Sequence, residues 1–173
     1  WFGDWDNKKI CLNEYRKYSA SYNSVYQIYD EKINFSESEE YIKKSKLILE
    51  GKKSGRGKNL NELENYFLTL DKLKNSLEKI GYKSQIELNN INSKNDEIGV
   101  VIGRNWEIIK LQDKYGGTHR FALCKILKIN QIIVSVKAIH SSLLNKEDIK
   151  IILNSNKNEK IKSFLKEKLM SNR

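Results

Sequence analysis

The chain has no proline, only two cysteines, two histidines and one methionine in 173 residues. Without proline there are no polyproline segments and no cis-prolyl turns, so loops must be shaped by glycine, asparagine and serine. Cys11 and Cys124 stand far apart, with no Cys-x-x-Cys pair and no histidine at ligand spacing. A disulfide framework and a zinc site are excluded on that pattern, and a reducing, cytoplasmic setting is expected. Long apolar runs are missing too. The longest, such as Gln131 to Val136, are strand-sized, well below the roughly 20 residues needed to span a bilayer. The opening Trp1-Phe2-Gly3-Asp4-Trp5 lacks the basic start and apolar centre of a signal peptide.

What the chain has is positive charge. Lys and Arg number 32 against 22 Asp and Glu, a net charge of +10, which favours anionic partners: nucleotide, nucleic acid, phosphorylated metabolite or acidic lipid. The abundance of Lys, Asn and Ile also fits an AT-rich coding sequence, so the basic excess does not choose among them. The length suits one compact unit with a real core. Residues 1–60 read as a helical N-terminal extension, 61–140 as the core, and 141–173 as a basic helical C-terminal extension.

Tyr15, Tyr18, Tyr22, Val25, Tyr26 and Tyr29 recur at steps of three and four, as on one face of a helix that packs on the core. Ser36 and Glu39 match a capping box for a second helix running through Tyr41, Ile42 and Leu49 to Gly51. The following Gly51-Lys52-Lys53-Ser54-Gly55-Arg56-Gly57-Lys58 is not a Walker A loop. It lacks the first glycine, carries Asn59 where Ser or Thr belongs, and follows a helix. It reads as a solvated mobile loop whose cations, Lys53 and Arg56 among them, could close over a phosphate. Asn59 with Glu62 starts a third helix, whose stripe Leu70, Leu73, Leu77, Ile80 stops at Gly81.

The period then changes. Ile98 to Ile102 and Trp106 to Leu111 predict a hairpin turning at Gly103-Arg104-Asn105, with Trp106 covering part of the core. A loop from Gln112 to Gly117, a helix from Thr118 to about Leu127 and a strand from Gln131 to Val136 follow. Asn145 is a plausible cap for a helix after His140, and Ile161, Phe164, Leu165 and Leu169 lie on one face of a basic helix beyond it. The fold class is therefore α+β, a small mixed sheet packed with helices.

The informative stretch is Gly116-Gly117-Thr118-His119-Arg120, between a strand and a helix. A glycine pair there lets an anion approach the backbone, and the helix start supplies unpaired N–H groups and positive potential. Thr118 offers a hydroxyl, Arg120 a fork that grips two phosphate oxygens, and His119 a group that exchanges protons near neutral pH. Spacing alone equally allows a plain turn, with Thr118 as a cap and Arg120 as a surface charge.

Tyr115-Gly116-Gly117-Thr118-His119-Arg120-Phe121-Ala122 resembles the sulfiredoxin signature, aromatic-Gly-Gly-Cys-His-Arg-aromatic-Ala, and the Asp-Gly-x-His-Arg box of ParB-like domains and free-serine kinases. Leu70 to Gly81 resembles the ParB-like helix before the hairpin, and Lys125 to Val134 the continuation after the box, with Ile133 where proline is usual. The similarity covers about residues 70–140, some 40% of the chain. It implies a ParB/sulfiredoxin-like core with nucleotide phosphates on Gly116, Gly117, Thr118, His119 and Arg120, ATP or CTP as cofactor, and Mg2+ as companion. Thr118 stands at the catalytic cysteine of sulfiredoxins, which removes that reaction. Gly116 stands where the kinases carry aspartate, leaving Asp113 as the nearest carboxylate.

The expected function is ATP-dependent phosphoryl transfer to a hydroxyl of an amino acid or sugar. Asp113 and His119 are the catalytic candidates, Glu97 or Glu107 further carboxylates, and Lys53, Arg56, Arg104 and His140 possible phosphate or substrate contacts. The alternatives are a nucleotide-gated DNA-binding module, in which the Lys52 to Lys58 loop and the basic C-terminal helix touch backbone phosphate, and a ParB-like nuclease, for which no two-metal carboxylate cluster is evident.

Overall fold

The computed structural model describes residues 4–88, 97–111 and 116–155. Among them are five α-helices, α1 (Ala20–Tyr29), α2 (Glu39–Leu49), α3 (Leu60–Ile80), α4 (Thr118–Ile126) and α5 (Lys146–Ser155), and three strands, β1 (Ile98–Ile102), β2 (Ile108–Lys110) and β3 (Val134–Ile139). The sheet order is β2-β1-β3, antiparallel between β1 and β2 and parallel between β1 and β3. The fold is mixed α+β. No helix among the described residues is long and apolar enough to cross a membrane.

Local chemistry accounts for most element ends. The Asn59 side chain accepts the Glu62 N–H at 2.9 Å while the Glu62 carboxylate accepts the Lys58 N–H at 2.7 Å, a reciprocal cap that starts the 21-residue α3. Gly81, at φ +69°, ends it. The Asn145 side-chain Oδ1 accepts from the backbone N–H groups of Glu147 and Asp148 and opens α5. The second helix begins later than the Ser36–Glu39 pattern predicts. A 3-10 turn, Phe35–Glu37, consumes that pattern, with Asn34 accepting from Ser36, and Ser38 becomes the N-cap.

The tyrosine stripe is likewise divided. Tyr15 lies in a 3-10 turn, Leu12–Lys17, and α1 starts only after Ser19 accepts the Tyr22 N–H. Tyr15, Tyr22, Val25 and Tyr29 are buried as a packing face requires, but Tyr18, at the break, is exposed. They join Leu63, Phe67, Leu70 and Leu77 of α3 and Ala122, Leu123 and Cys124 of α4 in one core. The first 60 residues and the box helix thus share the same apolar interior.

Ile98, Val100 and Val101 are all buried, so β1 is covered on both faces, as a central strand should be. β3 starts at Val134 rather than Gln131. Ile129 and Ile132 pack against the helical core instead, and pairing begins where Val134 meets Ile98, with a register shift between Val100 and Val101. Trp106 does not cover the core. It takes φ +63° in the hairpin turn and is 69% exposed.

Candidate functional site

The site is built where α4 meets the start of β1. Gly116 and Gly117 hold φ of +80° and +76°, and a Cβ on Gly117 would stand 2.7 Å from the Ile98 Cα. Only glycine lets the chain pass this close to the strand in a left-handed conformation. Gly117 is then the N-cap of α4, with no side chain capping the helix, so its first-turn N–H groups keep their positive potential at the surface the box presents. Thr118 is buried, and its hydroxyl accepts from Lys110 Nζ of β2 at 3.1 Å.

His119 is buried, and its ring nitrogens join a polar network. Its Nε2 lies 2.6 Å from Glu40 Oε2 on α2, and its Nδ1 lies 3.1 Å from the Tyr66 hydroxyl on α3. The Glu40 side chain is 1% exposed and also accepts from the Ser21 hydroxyl at 2.8 Å and from Arg56 Nε at 3.0 Å. Its own backbone N–H donates to Ser24 Oγ at 2.7 Å. Burial pushes the Glu40 carboxyl up, but the His119 hydrogen bond, the His119 and Arg56 charges and the Ser21 hydroxyl outweigh it and hold it at about 2. An ionised carboxylate only accepts, so the hydrogen between the two groups sits on Nε2. Where the ring is neutral Nδ1 accepts from the Tyr66 hydroxyl, and where it carries the charge that lowers Glu40 both nitrogens donate. Burial raises the Tyr66 phenol to about 12, with the Arg56 charge opposing and the Glu40 charge reinforcing.

Arg120 leaves the same turn toward Tyr82 and Glu97. Its guanidinium lies 3.3 Å from Glu97 Oε2 and 5.8 Å from the centre of the Tyr82 ring, and the Tyr82 hydroxyl donates to Glu97 at 2.7 Å. Glu97 also accepts the Gln85 backbone N–H. Between these groups opens a cavity of about 430 Å³ lined by Gly116 to Arg120, Arg56, and the Tyr66, Thr69, Leu70 and Leu73 face of α3. Those α3 positions recur at three- and four-residue steps, so one helical stripe forms a wall that is apolar at one end and hydroxylated at the other.

No family model, curated protein or solved structure matches this chain. The chemistry of the site therefore rests on its own geometry.

Of the residues singled out in the sequence, Gly116, Gly117, Thr118, His119, Arg120 and Arg56 come together on this cavity. The segment is an exposed loop for most of its length, but Arg56 is half-buried: Ser54 is buried, donates to the Gly57 carbonyl, accepts from the N–H groups of Arg56 and Gly57, and so turns the guanidinium inward. Lys53 on the same segment is exposed. Glu97 reaches the site as the partner of Arg120. Arg104, Glu107 and His140 are not brought to it. They cluster at the other end of β1, where the His140 N–H donates to the Ile102 carbonyl, four residues or roughly 13 Å of strand from Ile98. There Arg104 is bound by Asp4 and Asp6, Glu107 by Lys9, and His140 caps a 3-10 turn through Ser142. Asp113 and Tyr115 lie outside the described residues, as does the predicted helix carrying Ile161 to Leu169.

Cys124 packs in the core, and burial pushes its thiol up to about 11 with the Arg120 charge opposing. Glu40, Tyr66 and Lys110 are members of the site that the sequence reading missed. Tyr66 could have been placed on the Leu70 and Leu73 face by helical spacing. Glu40 and Lys110 become partners of the box only through long-range folding.

Proposed function

We propose that the cavity at the start of α4 binds the phosphates of a nucleotide, ATP or CTP, and that the protein passes a phosphoryl group from it to a hydroxyl of a small acceptor. The observation that carries this is the convergence of two guanidinium groups, Arg56 and Arg120, with the uncapped N-terminus of α4 on one cavity of about 430 Å³. That volume is within the range of small-ligand sites. Glu40 and Glu97 fix the two arginines in advance, so little reorganisation is needed when an anion arrives. Leu70 and Leu73 give an apolar wall for a base or sugar.

The order helix, hairpin, glycine box, helix, parallel strand supports a ParB/sulfiredoxin-like core. The sulfiredoxin reaction itself has no nucleophile here, with Thr118 in the box and Cys124 in the interior. Among the described residues no three His, Cys, Asp or Glu groups gather to hold a metal ion. Magnesium belongs to this reading as a companion of the nucleotide phosphates. The DNA-binding reading has less support, because Arg56, on the loop expected to touch backbone phosphate, lines the small-ligand cavity.

Calorimetry and thermal shift with ATP, CTP and GTP, with and without Mg2+, test the binding, because a ligand of the native state alone must raise stability. Arg120→Ala should weaken the nucleotide Kd about 10- to 100-fold, the worth of a charge-assisted contact. Parent-like affinity in that variant overturns the reading, and nucleoside diphosphate release against hydroxyl-bearing acceptors tests the transfer.

A further inference from the structure

Phosphate binding calls for the arginines and the helix start, but not for the buried line Glu40, His119, Tyr66. Both ring nitrogens of His119 are committed, Nε2 to Glu40 at 2.6 Å and Nδ1 to the Tyr66 hydroxyl at 3.1 Å. His119 and Tyr66 both line the cavity, but with its two nitrogens committed the ring meets a ligand proton through Tyr66. The Arg56 guanidinium lies 4.9 Å from the centre of the Tyr66 ring, where it favours negative charge developing on the phenol. Glu40, held by Ser21 and Arg56 as well, keeps Nε2 as the donor, so Nδ1 is the nitrogen that faces Tyr66.

We propose that Tyr66 is the acid–base residue this pocket presents to its ligand, with His119 the proton acceptor behind it and Glu40 the positioning residue that orients the ring. The proposal rests on reading the cavity as a ligand site. In phosphoryl transfer, the acceptor oxygen bonds to the terminal phosphorus as the bond from phosphorus to the nucleoside diphosphate oxygen breaks. The acceptor proton passes to the Tyr66 oxygen while the Tyr66 proton passes to His119 Nδ1. The nucleoside diphosphate leaves with the bonding electron pair, and the imidazolium stands beside an ionised Glu40 until its proton returns to water as the product departs. This separates the roles of the box: Arg120 and the helix start hold charge, and His119 moves a proton it never takes from the substrate directly.

The test needs no acceptor. Benzenesulfonyl fluoride labels a tyrosine by forming an O–S bond and expelling fluoride, with the phenolic proton going to a base. Burial alone would make Tyr66 react more slowly than Tyr18, which is 63% exposed. With the relay the order reverses: in the folded parent, peptide mass spectrometry should find Tyr66 labelled about tenfold or more ahead of Tyr18, and Glu40→Gln, checked for folding by circular dichroism, should slow Tyr66 by about 100-fold, the usual worth of a positioned base. Tyr18 ahead of Tyr66 in the parent overturns the relay and needs no variant. So does parent-rate labelling in folded Glu40→Gln. ATP or CTP separates the two proposals. Fast Tyr66 labelling that nucleotide does not slow overturns the nucleotide reading and sustains the relay. Slow Tyr66 labelling with calorimetric nucleotide binding intact does the reverse.

Discussion

At one end of β1, Arg104 is held by Asp4 and Asp6; at the other, Arg56 and Arg120 are held by Glu40 and Glu97. Asp6 accepts from the Arg104 backbone at 2.9 Å and from its side-chain nitrogens at distances down to 2.6 Å, and Asp4 adds a contact at 2.8 Å. The arginine lowers the Asp6 carboxyl and the acids raise the arginine, which is charge closing on charge. Among the described residues Arg56 meets Glu40 and Arg120 meets Glu97, and both arginines also line a cavity. The contrast teaches that an arginine beside a turn or a glycine box is not a phosphate contact by virtue of its position. What decides is whether its counter-ions consume it or only aim it.

The largest effect expected at the open end comes from Glu40→Ala. It strands the charge of Arg56 and the Nε2 hydrogen of His119 in a buried setting, and should cost about 3–5 kcal/mol in denaturant unfolding. Acid should reach the same group. Glu40 is held at about 2, below its usual 4.5, so its stabilisation is complete above about pH 4.5 and is lost as pH falls toward 2. The loss is on the order of 3 kcal/mol, and parent and Glu40→Gln stability curves should converge over that window. Gly117→Ala should come next, at about 2–3 kcal/mol, because a left-handed Cβ is strained and this one meets the Ile98 Cα. The smallest effect sharpens the comparison most: Arg104→Gln should lower the melting temperature yet leave nucleotide affinity within about twofold. A tenfold loss of affinity there would erase the distinction between the two ends.

Much of this was legible in the chain. The reciprocal Asn59–Glu62 cap, the stop at Gly81, the hairpin and the helix after Gly117 are set by local chemistry, which a sequence displays. Boundaries slipped for two reasons: Ile129 and Ile132 joined the helical core, and a competing local cap, Asn34 on Ser36, coiled Phe35 to Glu37 before α2 could start. The box was visible because its glycines are required by a close approach to Ile98. Its partners were not, since Glu40 stands 79 positions from His119 and Tyr66 stands 53, and nothing local marks a glutamate as buried. Helical periodicity even points away from it. Ile42 and Leu49, apolar residues of α2, are exposed, and the buried residue of that helix is Glu40.

That single carboxylate bears on how the chain assembles. Glu40 is satisfied only when Ser21 of α1, Arg56 of the loop and His119 of α4 have all arrived, segments that come together from across nearly a hundred positions. A half-built intermediate carrying α2 against α1 alone would hold a dehydrated negative charge with too few partners, and would revert rather than accumulate. Folding and site completion are thereby one event. A chain that has folded at all has its histidine already seated, and hydrogen exchange should show α2 and α4 opening together.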